Sequence, residues 1–424
     1  MAHHHTGSVV APPKLQIPKN FYIACGAAAA IGFLSFGVGL VAVDPARAWK
    51  AYLIGLFFFT IMAMSGPWLV ACLNLTRGGW AVTVRRIPGS FWAAFLPLGV
   101  LAMIFALGGV SHVYEWAHVE YHDALVIKKL SLLNQPFFIA STVIGYSAIG
   151  GFGFLMSRNS YKQDETGDGN LYRKNLVLSA PFLILMSLGL TLLSVHYVMS
   201  LQPHWFSTMW TVNIWITGVQ AGLALMCIIA VWLSRKGSLR PFINENHIHD
   251  LGKLLFTATA FWAYIAFCQF LLMWYANLPE EAIFWNTRMS WDDPMSNPWT
   301  IITAIMPFAK WVIPFFLLLP RVTKRGRFLI PISIWILFFS VYEVWWWIAP
   351  APVPNVGHGT GHGSGVGEAV AHHGPPALEL PWLELLVWFG FAGVFAASIA
   401  WALSRWNIIP IKDPRLEESM HFHQ

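Results

Sequence analysis

Lys310 and Glu343 each lie inside a run of apolar residues long enough to cross a bilayer. An ionised side chain at that depth costs about 2.5–3.5 kcal/mol, so such a residue belongs to a pair, a pathway or a bound group. Three more titratable residues, His112, Glu115 and His196, fall at the same end of their apolar runs as Glu343. Asp250 and Lys253 open another run, in which Thr257, Tyr264 and Cys268 follow at offsets of 4, 11 and 15 from Lys253. Helical periodicity puts these on one face. Titratable and hydroxyl groups at hydrogen-bonding steps are what proton movement needs. The residues predict one half-pathway through Asp250, Lys253, Thr257 and Tyr264 and another through His112, His196 and Glu343, with Lys310 between them. Pro314 leaves the Lys310 carbonyl without its helical donor, which predicts a polar pocket there. A plainer reading has Asp250 and Lys253 pairing at i,i+3 and snorkelling to water, with Lys310 and Glu343 as glue between helices.

Metal and haem chemistry have thinner support. Cys25, Cys72, Cys227 and Cys268 all sit in apolar runs and form no CxxC or CxxCH, so no covalent haem, iron–sulfur cluster or structural zinc is expected in this chain. His112 and His196 are one pair at bis-histidine depth, and Glu115 to His118 is one Glu-x-x-His where a di-iron bundle needs two. His358, His362, His372 and His373 lie in a Gly/His-rich stretch that reads as a polar linker rather than a metal site.

The elements that must position these residues follow from composition. Of 424 residues, 56% are hydrophobic and 11% charged, against about 25% charged in soluble domains. With 23 Trp, 31 Phe and a mean hydropathy of +0.56, the chain is expected to be an all-α integral membrane protein with interfacial aromatic residues. The net charge of +6 does not point to nucleic acid, because the basic residues sit in short loops. Crossing about 30 Å of hydrocarbon takes about 20 apolar residues. Ten segments qualify, at Phe21–Val43, Ala51–Leu73, Phe91–His112, Pro136–Met156, Leu176–Leu201, Trp210–Leu233, Leu251–Ala276, Pro298–Leu319, Phe328–Ile348 and Trp382–Leu403. The first is read as a retained span, despite the cleavage-like Ala46-Arg47-Ala48. Nineteen Lys and Arg flank the spans on one side and five on the other, with Lys253 and Lys310 inside spans. The positive-inside rule then places both termini in the cytoplasm.

Several stretches resemble the F subunit of bacterial alternative complex III, a quinol:electron-acceptor oxidoreductase. They are Thr76 to Trp80 with Val84 to Arg86, Tyr114 to His118, His249 to Phe256, Phe261 to Tyr264 with Gln269-Phe270, Trp274 to Glu281, and Asp413 to Ser419. The resemblance runs from the second span to the C-terminus and is most specific around the seventh. It implies an NrfD-like (polysulfide-reductase membrane-subunit-like) core of two four-helix bundles, spans 2–5 and 6–9, with spans 1 and 10 added. The resulting division is a tail to residue 20, a first span and loop to 48, bundles over 49–209 and 210–349, an outer loop over 350–381, a tenth span over 382–404 and a tail over 405–424. In that family a sister NrfD-like subunit carries the better-supported quinol site beside the iron–sulfur subunit, and c-type cytochromes hold haem. The F subunit is named as quinone-binding by similarity and proposed to hold proton half-channels. The resemblance thus implies those partner subunits, a bacterial cytoplasmic membrane, and haem c and iron–sulfur clusters in the partners.

Quinol oxidation needs a His or carboxylate within reach of each hydroxyl and a nearby electron acceptor. His112, Glu115 and His196 are the candidate quinone contact, and nothing in the chain supplies the acceptor. Two rival readings are a secondary transporter, with Pro307 and Pro314 breaking a helix near the midplane, and a purely structural anchor subunit.

Overall fold

The computed structural model describes residues 11–118, 124–237, 239–291, 293–352 and 378–423. Among the described residues ten helices are long and apolar enough to cross a membrane, and the chain is an all-α multi-pass integral membrane protein. In chain order they are α1 (Lys19–Ala42), α2 (Pro45–Leu75), α3 (Arg86–Gly108), α4 (Gln135–Thr166), α5 (Asn170–Leu201), α6 (Trp210–Ser234), α7 (Glu245–Ala276), α8 (Trp299–Leu318), α9 (Gly326–Ile348) and α10 (Trp382–Arg405). The His-rich stretch with His358, His362, His372 and His373 lies outside the described residues.

Helix ends follow capping chemistry rather than hydropathy, so several helices outrun their apolar segments. Helix α2 begins six residues before Ala51 because Asp44 accepts from the amides of Ala46 (3.3 Å) and Arg47 (3.0 Å), with Pro45 in the first turn. Helix α7 likewise starts at Glu245, where Asn244 and His247 form a reciprocal capping box, and it stops at Asn277 in the left-handed region. Helix α4 runs past Met156 to Thr166 and ends at Gly167, whose φ of 75° suits a residue without a Cβ. Apolarity marks where lipid begins, while caps mark where the helix begins.

Helices α2 and α6 form the centre, with 89% and 78% of their most apolar stretches buried, against 17–44% for the other eight. Helix α2 packs on α3 and α5, which α4 joins into a ring of four. Helix α6 packs on α7 and α9, and α8 closes a second ring. The rings meet along α2 and α6, where a Cβ on Gly218 would strike the Ile61 carbonyl and one on Gly222 the Ser65 side chain. Glycine lets the two backbones approach, as small residues do between membrane helices. Helices α1 and α10 pair through Gly32 against Gly390 and lie against α2.

The start of α1 and the end of α10 reach one face of the molecule. The Tyr22 hydroxyl near the start of α1 is 3.3 Å from that of Ser404 at the end of α10. The C-terminal segment then crosses this terminal face. Asp413 pairs with Arg85, and Arg86 donates to Asp164 (2.7 Å) and the Asn407 carbonyl (2.7 Å). Ser419 donates to the Trp80 carbonyl (2.7 Å) and meets Thr83 (3.1 Å) and His247 (3.2 Å).

Candidate functional site

The polar centre of the molecule lies inside the α6–α9 ring. Helix α8 is interrupted by a π-turn over Phe308–Val312, and Lys310 sits within it, fully buried. Pro314 cannot donate back into the helix, and a π-turn is one way to absorb that loss. The displaced Ala309 carbonyl instead accepts from the Trp335 indole at 2.8 Å. The carbonyl that takes the new donor is thus that of Ala309, next to the Lys310 carbonyl that Pro314 leaves without its helical partner.

The Lys310 ammonium pairs with Glu343 of α9, which is 2% exposed. Thr217 of α6 donates to Glu343 Oε2 (2.9 Å) and lies 3.4 Å from Lys310 Nζ. The Trp262 indole of α7 donates to Glu343 Oε1 (2.9 Å), and its ring faces the ammonium at 4.9 Å. Four helices therefore each supply one group. A buried carboxylate is held by three donors and a buried ammonium by one carboxylate, one hydroxyl and one aromatic face.

Further polar side chains extend from this centre towards both faces. One turn towards the terminal face, the Gln220 amide donates to Thr259 (3.1 Å), while Gln220 Oε1 has no hydrogen-bond partner among the described residues. Towards the other face, buried Asn213 Oδ1, both polar atoms of Gln269, and the indole nitrogens of Trp210 and Trp347 lack hydrogen-bond partners among the described residues. An unmet buried polar group costs about 1–3 kcal/mol. Internal water is the partner such groups take in folded proteins.

The residues singled out from sequence divide. Lys310 and Glu343 come together within the α6–α9 ring. Asp250 and Lys253 pair at 2.5 Å at the terminal end of α7. Thr257 is exposed, its hydroxyl bonded to the Lys253 carbonyl (3.0 Å), and Tyr264 is 62% exposed. These two share a face with Lys253, as the spacing requires, but that face points away from the ring. The inward face carries Thr259, Trp262 and Gln269. His196 is buried in the first ring, its nitrogens 2.8 Å and 3.2 Å from the carbonyls of Leu192 and Leu132 and its ring among Phe137 and Phe138. Equal depth put it beside Glu343 in the sequence reading, yet it faces another bundle interior. His112 is exposed and stacks on Trp49 at 6.5 Å, and Glu115 is half-buried. His112, Glu115 and His196 thus differ in their surroundings, exposed, half-buried and buried respectively.

Sequence reasoning missed the stripe Asn213, Thr217, Gln220, Ala224 and Cys227 on α6, spaced 4, 3, 4 and 3 along one face. Its polar members are uncharged and escape a search for ionisable groups. Among the described residues no three His, Cys, Asp or Glu converge to hold a metal ion. No protein-family model matches the chain, and no curated protein matches it significantly.

Proposed function

We propose that this chain is the F-type membrane subunit of a quinol:electron-acceptor oxidoreductase and that the Lys310–Glu343 pair is the central relay of a proton path through its second bundle. In this reading the two rings are the NrfD-like bundles, both termini are cytoplasmic in a bacterial inner membrane, and haem and iron–sulfur centres belong to partner subunits. The observation that carries it is a fully buried lysine near mid-span paired with a buried glutamate on another helix. Two coupled titratable groups can pass a proton when one gains as the other loses it, and Thr217 touches both. Gln220 and Thr259 on one side and Asn213 and Gln269 on the other support continuation by water. The Asp250–Lys253 end of α7 would then be an entrance at the terminal face, with Thr257, Tyr264 and His196 outside the route.

The test uses the intact complex in proteoliposomes. Lys310→Met and Glu343→Gln are expected to lower protons moved per electron while the complex stays assembled; an unchanged ratio in both assembled variants would overturn the proposal. The π-turn in α8 also suits the broken helix of a transporter. Purification separates these readings, since a transporter would leave the membrane without haem or iron–sulfur proteins.

A further inference from the structure

A buried cation lies at the end of the second ring opposite the termini. Arg288 follows the short helix Pro279–Asn286 in the α7–α8 connection and is 1% exposed. Its guanidinium donates to the carbonyls of Trp346 (3.1 Å) and Trp347 (2.7 Å) in the last turn of α9, to the Phe284 carbonyl (2.7 Å) and to the Thr287 hydroxyl (3.2 Å). Burial pulls its pKa down to about 9, with no carboxylate among the described residues opposing the shift, so it stays charged at neutral pH. Buried ions are normally paired with an opposite charge. Here the counter-charge is only the carbonyl end of α9, equivalent to about half an elementary charge. Buried Lys50 of α2 ends on the Ala351 carbonyl just beyond that helix. Two cations at one helix end leave this corner positive.

The charge lies beside the half of the polar column that leads away from the termini. Trp347 is one turn beyond Glu343 on α9, about 6 Å at 1.5 Å per residue, and its ring meets that of Trp210 at 5.1 Å. Phe284 bridges the two features, 5.1 Å from the Trp210 ring and 3.8 Å from the Arg288 guanidinium. The indole nitrogens of Trp210 and Trp347, which lack partners among the described residues, therefore sit next to the cation. A hydronium ion in this half meets the field of Arg288, whereas neutral water does not. We infer that Arg288 is an electrostatic barrier across this half of the path, admitting water while holding passive proton flow low. The inference rests on the proton-path reading. A cap for α9 needs only the hydrogen bonds of the guanidinium, while a barrier needs its net charge, and Gln202 separates the two. The Gln202 amide donates to the Thr287 hydroxyl (3.0 Å), which also accepts from Arg288. Gln202→Glu, an isosteric change, sets a carboxylate beside the cation and removes none of its carbonyl partners.

The intact complex in proteoliposomes, given an imposed pH gradient and no substrate, tests this through the rate at which the gradient decays. Arg288→Gln and Gln202→Glu are each expected to speed decay about tenfold, the factor that one unit charge about 10 Å away implies at an effective dielectric constant of about 20. Arg288→Lys, which keeps the charge and loses the planar fork, should stay within about twofold of the unaltered complex. Adding Lys310→Met to either fast variant should restore slow decay, because the flow then has no relay. Unchanged decay in Gln202→Glu, or in Arg288→Gln where only that variant assembles, would overturn the inference. So would fast decay that survives Lys310→Met or that Arg288→Lys shares, since either marks a damaged helix end rather than a lost charge. Failure of the proton-path reading itself looks different: Lys310→Met would leave protons moved per electron unchanged in the assembled complex, and the barrier would fall with it.

Discussion

Lys310 and Glu343 can be tested for coupling apart from any activity. Removing one partner of a buried pair leaves a charge that water no longer reaches, and such single changes cost about 3–5 kcal/mol. Lys310→Met and Glu343→Gln are each expected to lower the melting temperature of the chain. The double variant should recover most of the loss, because the glutamine oxygen can still accept from Trp262 while its amide nitrogen donates to the Thr217 hydroxyl. A loss in the double equal to the sum of the two single losses would show that the two groups act independently. Trp262 and Tyr264, two positions apart on α7, make a sharper contrast. Trp262→Phe deletes a donor to a buried carboxylate, worth about 1.5–3 kcal/mol, whereas Tyr264→Phe changes an outward side chain and should leave melting unchanged. The pair was legible in the sequence because depth and residue type alone make a mid-membrane ion expensive. The inward face of α7 was not. Lys253, Thr257 and Tyr264 form one helical stripe and Thr259, Trp262 and Gln269 another, and periodicity groups residues without saying which group faces the bundle.

Two local features decide how the elements hold this geometry. In α8 the π-turn gives up helical hydrogen bonds, and the Trp335 indole takes the Ala309 carbonyl at 2.8 Å. Trp335→Phe strands that carbonyl and is expected to cost about 1–3 kcal/mol, read as a lower melting temperature with no change at the opposite ring. Between α2 and α6 the contact is backbone to backbone. A methyl at Gly218 meets the Ile61 carbonyl, which cannot rotate away, so Gly218→Ala must part the central helices. Gly26→Ala on α1 is its control, since nothing lies within 4 Å of an added Cβ there. That change should be neutral or slightly stabilising through the better helix propensity of alanine. Comparable melting of the two variants would show that the seam is not closely packed. Sequence located these helices through their apolar length, but glycine marks a close approach only once its neighbour is known.

At the scale of the whole molecule, the C-terminal segment spans both rings. Arg86 and Asp413 tie it to the start of α3 and the loop before it, Asp164 adds the end of α4, and Ser419 reaches Trp80, Thr83 and His247 at the start of α7. The Asp413 to Ser419 stretch stood out in the sequence by resemblance alone. Its partners lie more than 150 residues away, beyond the reach of any local pattern. The segment also reports orientation. It lies on the face that carries nineteen of the Lys and Arg residues, which the positive-inside rule assigns to the cytoplasm. All four native cysteines are buried or half-buried in the spans, and Glu417 is exposed on the segment's outer side. A Glu417→Cys variant is therefore expected to react with a membrane-impermeant maleimide in inverted vesicles and to stay unlabelled in right-side-out ones. The reverse pattern would turn the molecule over, placing the Asp250–Lys253 end of the polar column on the outer side.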